Sequence, residues 1–170
     1  MSITKVTVQD IPTLVSLINS AYRGEGSKKG WTTEADLLKG ELRTDISFLT
    51  KLLTNPNATM LKYTMDDGII AGCVFLEKME RGLYLGMLTV SPEKQAFGIG
   101  KKLLAAADNY ARQNNCQRIF MNVISIRLEL VAWYERHGYH KSGERKPLPA
   151  DNRFGTPTQP LEFEIMEKVL

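Results

Sequence analysis

Cysteine and histidine are scarce in this sequence, and their scarcity excludes two common ways of stabilising a fold. The chain of 170 residues has two cysteines, Cys73 and Cys116, and two histidines, His137 and His140. Two cysteines do not make the disulfide framework of a small secreted domain. No cluster of cysteine, histidine and carboxylate residues surrounds the histidines, so we expect no metal site. A reducing cytoplasm is the expected compartment.

Long hydrophobic runs and an excess of one charge are also lacking. The longest apolar stretch, Ile69–Leu76, is far shorter than the roughly 20 residues that span a bilayer, and the N-terminus does not have the form of a signal peptide. The 22 basic and 19 acidic residues are dispersed and leave a net charge of +3. A dedicated nucleic-acid-binding protein would show a clustered basic stripe. We therefore expect no membrane and no nucleic acid as partner.

What the sequence does contain is an alternation of strand and helix patterns within a length that fits a single domain, 1–170. Asp66-Asp67-Gly68 separates two β-patterned segments and predicts a hairpin. Thr33–Asp36 has the capping-box form and predicts a short helix that Gly40 ends, and Lys146–Pro160 is predicted to be a long loop. These patterns favour an α/β (α+β) fold, a mixed sheet with helices on both faces. The predicted strands are Ile3–Val6, Thr59–Met65, Ile69–Leu76, Leu83–Val90, Arg118–Val123 and Leu161–Lys168, with a further one at Tyr139–Glu144, and the main helices are those beginning at Pro12, Asp45, Gly98 and Leu128.

The most informative segment lies between the apolar strand that ends at Val90 and the helix that begins near Gly98. A helix N-terminus presents unpaired N–H groups that bind phosphate well, and a glycine there removes a Cβ that would keep the phosphate away. A Walker loop is excluded because Lys102, rather than serine or threonine, follows Gly100-Lys101. A dinucleotide fingerprint fits poorly because the position of its third glycine is Leu103.

The hexapeptide Gln95-Ala96-Phe97-Gly98-Ile99-Gly100 resembles the acetyl-CoA loop of the GCN5-related N-acetyltransferase (GNAT) superfamily, whose pattern is Gln/Arg-x-x-Gly-x-Gly/Ala after the fourth strand. The resemblance extends over roughly Thr59–Tyr139. It implies a mostly antiparallel sheet of six to seven strands, acetyl-CoA as cosubstrate without a metal, and transfer of the acetyl group to an amine by direct attack in a ternary complex. The residues implied to bind the coenzyme are Leu88, Thr89, Val90, Gln95, Ala96, Phe97, Gly98, Ile99, Gly100 and Lys101.

Two side chains are predicted to take part in the chemistry. Trp133–Tyr139 resembles the family's aromatic-Tyr-x-x-x-Gly-aromatic segment, which makes Tyr134 the candidate general acid; the alternative is a buried tyrosine that anchors the helix. Glu77 could contact the amine, although a solvated strand end explains it as well. No general base is evident. The family often has asparagine about two turns before the tyrosine, where this chain has Arg127, and that contact with the pantetheine arm is not expected here.

The resemblance implies that the acceptor amine meets two segments, Tyr22–Thr32 after the first helix and Lys146–Pro160 before the last strand. Tyr22 and Trp31 could wall a pocket, with Glu25 attracting a cationic amine, whereas Trp31 could equally pin the segment to the core. Arg153 and Phe154 could close the pocket from the other side. These residues favour a small-molecule amine or amino-acid derivative over a protein N-terminus or lysine. A non-catalytic acetyl-CoA sensor is the alternative of another class, and the resemblance also allows a homodimer.

Overall fold

The computed structural model describes residues 1–149 and 152–170, with the side chain of Ala96 also outside the description. Its main feature is a seven-stranded sheet in the order β1-β3-β4-β5-β6-β9-β7, accompanied by a two-stranded β2–β8 ribbon. The strands are β1 (Ser2–Lys5), β2 (Leu38–Lys39), β3 (Ala58–Thr64), β4 (Ile70–Met79), β5 (Gly82–Val90), β6 (Arg118–Ile124), β7 (His140–Pro147), β8 (Thr156–Pro157) and β9 (Glu162–Val169). The α-helices are α1 (Ile11–Tyr22), α2 (Ile46–Leu53), α3 (Ile99–Gln113) and α4 (Leu128–Arg136), and short 3-10 helices cover Val8–Asp10, Glu25–Lys29 and Pro92–Phe97.

The predicted fold class is confirmed. Every pairing in the large sheet is antiparallel except that of β5 with β6, which is parallel because α3 connects them. The strand predicted at Tyr139–Glu144 exists as β7. No helix in the described part of the chain is long and apolar enough to cross a membrane.

The two faces of the sheet carry separate hydrophobic cores. On one face α1 and α2 pack over β3 and β4, where Leu14, Ile18 and Met60 are buried. On the other face α3 covers the same strands, where Leu61 and Leu103 are buried. Side chains of successive strand residues point to opposite faces, so neighbouring residues such as Met60 and Leu61 enter different cores.

A bulge in β5 changes which residues of that strand face α3. Opposite Cys73 and Phe75 of β4, β5 has one residue more than regular pairing allows. Before the bulge Leu83 and Leu85 enter the core under α3, and after it Leu88 and Val90 do. Met87 sits at the bulge with a φ of 49°, a conformation that residues with a side chain seldom adopt.

Just before the bulge, β5 and β6 separate. Their parallel pairing consists of Leu83 with Ile119 and Tyr84 with Phe120. β6 then continues to pair with β9 as far as Ile124, while β5 stays paired with β4 as far as Val90. The two strands therefore open a cleft in the middle of the sheet, and α3 starts beyond its far end.

The helix predicted from Thr33 to Gly40 is wrong. The segment makes one turn, in which Leu37 N and Leu38 N both donate to Glu34 O. Asp36, which a capping box would turn back to the Thr33 amide, pairs with Lys28 at 3.0 Å. The side chain that would have capped the helix is therefore engaged in an ion pair instead.

The long loop predicted over Lys146–Pro160 is also partly wrong. β7 continues to Pro147, and β8 pairs antiparallel with β2 through Leu38 opposite Pro157. Leu38 is buried with Ile124 and Leu161. This ribbon brings the segment after α1 together with the segment before β9, which places both beside the cleft.

Candidate functional site

A cavity of about 450 Å³ lies in the cleft between β5 and β6. Its walls come from both strands, from the end of α1, from the start of α4 and from the segments that the β2–β8 ribbon joins. Small-molecule pockets have volumes of this order. The lining residues used below are Tyr22, Arg23, Glu34, Arg43, Phe48, Tyr84, Met87, Leu88, Arg127, Tyr134, Arg153 and Phe154.

Tyr134 lines this cavity from α4. Its side chain is 6% exposed and its ring packs edge-on against Trp133 and Tyr139, with centroids 5.2 and 5.7 Å away. Its hydroxyl has no hydrogen-bond partner within residues 1–149 and 152–170. Burial raises the pKa of this phenol well above its ordinary value, with the nearby Tyr22 hydroxyl acting in the same direction. Tyr134 therefore holds its proton at neutral pH and can donate it.

Tyr22 reaches across the cavity to the bulged end of β5. Its hydroxyl donates a hydrogen bond to the carbonyl oxygen of Leu88, and burial raises the pKa of this phenol above its usual range. Of the three residues predicted at the end of this strand, Leu88 lines the cavity, whereas Thr89 and Val90 are buried beside it. Tyr22 thus fixes α1 to the strand end where the predicted coenzyme contacts begin.

The segment Gln95–Lys101, which we call the coenzyme loop, is fastened to the end of β5 by its first side chain. The Nε2 atom of Gln95 donates to Val90 O at 3.0 Å and to Ser91 O at 2.9 Å. Its Oε1 atom accepts from Trp31 N at 3.5 Å. Gln95 thus acts on the chain's own backbone, which explains why a long amide side chain suits this position.

The start of α3 has the geometry that a diphosphate needs. Gly98 caps the helix in the left-handed region, with φ 66° and ψ 23°, and nothing lies within 4 Å of the position that its Cβ would take. The first bond into the helix runs from Lys102 N to Gly98 O at 3.2 Å, so the amides of residues 99–101 precede the intrahelical ladder. Lys101 is exposed on this first turn. These groups fit the diphosphate of a coenzyme A molecule.

Gly100 has close neighbours in the structure, and its contact with the phosphate stays a prediction. A Cβ at this position would lie 3.0 Å from Cζ2 of Trp31 and 3.3 Å from Cη2 of Trp133. The two indole rings stack on each other with centroids 4.5 Å apart. Gly100 therefore leaves room for two indoles, one of them on α4, to pack over the first turn of α3.

The remaining predicted loop residues have distinct environments. Ile99 is buried in the core under α3, whereas Phe97 is half exposed and stacks under the Lys94 ammonium, 5.8 Å from its ring centre. The backbone of Ala96 belongs to the 3-10 helix Pro92–Phe97, and its side chain lies outside the described part of the structure. Among the described residues of this loop, Phe97, Gly98 and Lys101 are exposed.

A buried ion network connects the cavity with the two indoles. Glu34 accepts from Arg23 at 2.6 Å and pairs with Arg127 at 3.4 Å. Arg127 also donates to Trp31 O at 3.2 Å. Arg127, which stands where the family often has asparagine, thus binds the Trp31 backbone and lines the cavity.

Three of the predicted catalytic and acceptor-binding residues, Glu77, Glu25 and Trp31, lie outside the cavity lining, so the prediction that Trp31 walls the pocket is wrong. Glu77 is half buried on β4 opposite Tyr84, and its carboxylate has no residue of the coenzyme loop as a partner in the described part of the chain. Glu25 is exposed and pairs with Lys28 at 3.0 Å. The structure brings Tyr22, Leu88 and Tyr134 together, with Trp31 adjoining the coenzyme loop, and leaves these two carboxylates apart.

Sequence reasoning missed two of the charged residues that line the cavity, Arg43 and Glu34. Arg43 and Glu34 come from a segment predicted to be a simple short helix and its connection, and no local pattern distinguishes them. Arg153 and Phe154, which the sequence predicts on the far side of the pocket, do lie there. Phe154 packs against Phe48 with centroids 4.9 Å apart.

Comparison with known proteins points to one family. The family model described as the acetyltransferase (GNAT) domain matches residues 40–147, which include the strands around the cleft, the coenzyme loop and α4. Among curated proteins, N-acetyltransferase 8B of Homo sapiens is 26% identical over 124 residues, which are 69% of this chain and 53% of the human protein. The chain thus spans about half the length of this relative.

Solved structures share the whole fold at low sequence identity. The ribosomal-protein-alanine N-acetyltransferase of Brucella melitensis superposes with a TM-score of 0.74 at 18% identity, over 100% of both chains. The protein yncA of Salmonella typhimurium, solved with its cofactor acetyl-CoA, superposes with a TM-score of 0.69 at 15% identity, over 100% of this chain and 94% of that one. At such identities the likeness shows the fold. Because the family model matches more than half of its residues, the chain belongs to the GNAT acetyltransferase family.

Proposed function

We propose that the protein transfers the acetyl group of acetyl-CoA to the primary amine of a small molecule. The observation that carries this proposal is the separation of β5 from β6 after Tyr84, with the Tyr134 hydroxyl inside the resulting cavity. The open Gly98 face at the start of α3 supports it from the other end. The helix start beyond the end of the cleft would bind the diphosphate, and Tyr134 in the cleft would donate the proton.

The coenzyme loop and the first turn of α3 would hold acetyl-CoA. Backbone amides there and the Lys101 ammonium would bind the diphosphate, and Gln95 keeps the loop attached to the end of β5. Trp31 and Trp133, the latter on α4, pack against each other beside this helix start, where their rings would contact the bound coenzyme. When bound, acetyl-CoA supplies an activated acyl group as a thioester.

Tyr134 holds the proton that the departing sulfur requires. Because burial raises the pKa of this phenol, its Oη remains protonated throughout the neutral range, and a correctly placed general acid contributes about a hundredfold or more to a rate. The Leu88 carbonyl is occupied by Tyr22. This hydrogen bond would hold the end of β5, where Met87 has a strained backbone, in one conformation when the substrates bind.

The cavity favours a small molecule over a protein acceptor. Phe154, Arg153 and the β2–β8 ribbon wall one side of it, which limits the size of the acceptor that it can admit. A sensor without catalysis would have no use for a hydroxyl donor that lacks a partner in the described chain. Both features support an enzyme that acts on a small amine.

The test is mass spectrometry of the protein incubated with acetyl-CoA and a mixture of small amines, together with a set of peptides. We expect acetylated small amines and stoichiometric release of free coenzyme A. Acetylation of peptides alone would contradict the small-molecule assignment. Binding of acetyl-CoA without any acetylated product would contradict the enzymatic one.

A further inference from the structure

The cavity carries a large excess of positive charge for its size. Among the described residues that line it, four are arginines and one is an acidic residue, a formal excess of three positive charges. An arginine cluster in a pocket attracts anionic groups and disfavours polycations. The five charged residues are Arg23, Glu34, Arg43, Arg127 and Arg153.

The one acidic residue is already committed to two of the arginines. Glu34 binds Arg23 and Arg127, and the exposed fractions of the three side chains are 11%, 2% and 9%. Arg23 also donates to Phe154 O at 2.7 Å. Glu34 is therefore not available to attract a cationic amine, and its network remains positive.

Arg153 has an acidic partner at the edge of the cavity. It pairs with Asp45 at 3.1 Å, and its guanidinium lies 4.9 Å from the centre of the Phe154 ring and 5.9 Å from that of Phe48. The Asp45 carboxylate also accepts from Phe48 N at 2.7 Å. Two phenylalanine rings thus form this end of the cavity, and Asp45, the cap of α2, holds Arg153 beside them.

Arg43 lies inside the cavity without a carboxylate. Its guanidinium lies over the Tyr22 ring, 5.5 Å from the ring centre, and no carboxylate of the described residues pairs with it. The other end of the same ring bears the hydroxyl that bonds Leu88 O. One tyrosine ring therefore separates a half-buried guanidinium from the strand end where acetyl transfer would occur.

We propose that the acceptor is a small amino-carboxylate, whose carboxylate binds Arg43 while its amine lies at the Leu88 and Tyr134 end of the cavity. This proposal rests on the proposed N-acetyltransferase function. A guanidinium presents parallel N–H donors that match a carboxylate, and its partial burial makes such a partner valuable. Amines with several positive charges are disfavoured for the same reason.

The same charges help the amine to react. An acetyl acceptor must present a neutral nitrogen, and nearby positive charge disfavours the ammonium form. Arg43 and the network of Arg23, Glu34 and Arg127 surround the cavity with net positive charge. A carboxylate bound at Arg43 keeps the molecule in place while its amine gives up a proton to solvent.

The test measures thiol release from acetyl-CoA with matched acceptors. Alanine, methionine and phenylalanine are each compared with their own amides, and spermidine serves as the polycation. Since hydrogen bonds to charged groups contribute about 1.5–3 kcal/mol, we expect kcat/KM to be at least about tenfold higher for the best acid than for its amide. The amide has the less basic amine, so proton loss alone would favour the amide and cannot produce this preference.

The variant Arg43→Gln identifies the residue responsible. We expect it to raise KM for the preferred acid by about tenfold, to leave KM for the amide and for acetyl-CoA unchanged, and so to remove the preference. Arg136→Gln is the matched control, because Arg136 is exposed on the last turn of α4 and does not line the cavity. Calorimetric titration of the acid into the protein saturated with coenzyme A should show the same loss of affinity.

The outcomes separate this inference from the proposed function. Equal or better use of the amides or of spermidine, or an undiminished preference in Arg43→Gln, would overturn the amino-carboxylate assignment and leave N-acetyltransferase activity intact. Absence of thiol release with every amine, despite acetyl-CoA binding, would overturn both.

Discussion

Tyr134 is the residue on which the proposed chemistry depends most directly. Its hydroxyl lines the cavity and has no partner in the described chain, whereas its ring is held by Trp133 and Tyr139. A ring that is packed on two sides keeps the same orientation when the hydroxyl is removed. The chemistry of the hydroxyl can therefore be tested apart from the packing of the ring.

We expect Tyr134→Phe to lower kcat by about a hundredfold while the KM for acetyl-CoA changes less than twofold, because the hydroxyl acts as a general acid. Since burial raises the pKa of this phenol, the wild-type rate should not fall between pH 7 and pH 9 through loss of the Tyr134 proton. Steady-state kinetics over this pH range provide the measurement. An unchanged kcat in the variant would remove Tyr134 from the mechanism.

Tyr139→Phe is the matched control for this experiment. The Tyr139 hydroxyl is buried and has no hydrogen-bond partner within the described residues, and the residue does not line the cavity. Removing an unsatisfied buried polar group costs little or is stabilising. We therefore expect full activity and a free energy of unfolding no lower than that of the wild type.

Glu34 is the residue whose loss should affect stability most among the acidic side chains near the cavity. Its carboxylate compensates Arg23, whose side chain is 2% exposed. Glu34→Gln should lower the free energy of unfolding by about 3 kcal/mol, because it leaves a buried guanidinium without its counter-charge. Urea unfolding measures this change, with Glu25→Gln as the control, since Glu25 is 88% exposed and its loss should have no measurable effect. Equal stability of the two variants would show that the network contributes nothing.

At the scale of elements, the bulge in β5 determines where the site is. It reverses the faces to which the last residues of the strand point, and the separation from β6 begins just before it. Met87 stores backbone strain there, of a kind that functional sites often retain. The cleft, the bulge and the start of α3 therefore form one structural unit.

The segment after α1 is the second element that shapes the site. Its 3-10 helix, Glu25–Lys29, lies against the coenzyme loop. The Trp31 ring, which follows this helix in the chain, packs over Gly100. Both tryptophans of the chain thus lie beside the first turn of α3. Their fluorescence reports on any ligand that occupies this region.

We expect acetyl-CoA to change the tryptophan emission of the protein in a saturable manner, because binding alters the surroundings of the stacked indoles. Trp31→Phe and Trp133→Phe should each retain part of the signal, and both should bind the coenzyme. Fluorescence titration is compared with calorimetry on the same samples. Coenzyme binding detected by calorimetry without any change in emission would place the ligand elsewhere.

At the scale of the whole molecule, local signals in the sequence predicted the sheet and the coenzyme loop. The Asp66-Asp67-Gly68 hairpin and the glycine-containing start of α3 depend on neighbouring residues, so short patterns indicate them well. The helix predicted at Thr33 was wrong because Asp36 pairs with Lys28 and Glu34 pairs with Arg127, and both partners lie outside the segment. Where ion pairs with other segments compete with a helix cap, the sequence pattern alone does not determine whether the helix forms.

The charge of the cavity could not be predicted from the sequence for the same reason. Arg43, Arg127 and Arg153 are distant in the chain and meet only because the β2–β8 ribbon and the separation of β5 from β6 bring their segments together. Likewise, no local pattern indicated that Gly100 accommodates two indoles from distant parts of the chain. The sequence indicated the reaction class, whereas the proposal of an amino-carboxylate acceptor depends on the three-dimensional arrangement of these arginines.

The central claim is that the diphosphate of acetyl-CoA binds at the start of α3, and the variants Gly98→Asn and Gly98→Asp test it most directly. Asparagine and aspartate both tolerate the left-handed conformation of Gly98, and they differ in charge alone. Calorimetry should show that acetyl-CoA binds the Asp variant about tenfold more weakly than the Asn variant, because the carboxylate repels the diphosphate, whereas S-acetylpantetheine, which has no diphosphate, binds both equally. Equal affinity of the two variants for acetyl-CoA would contradict the account.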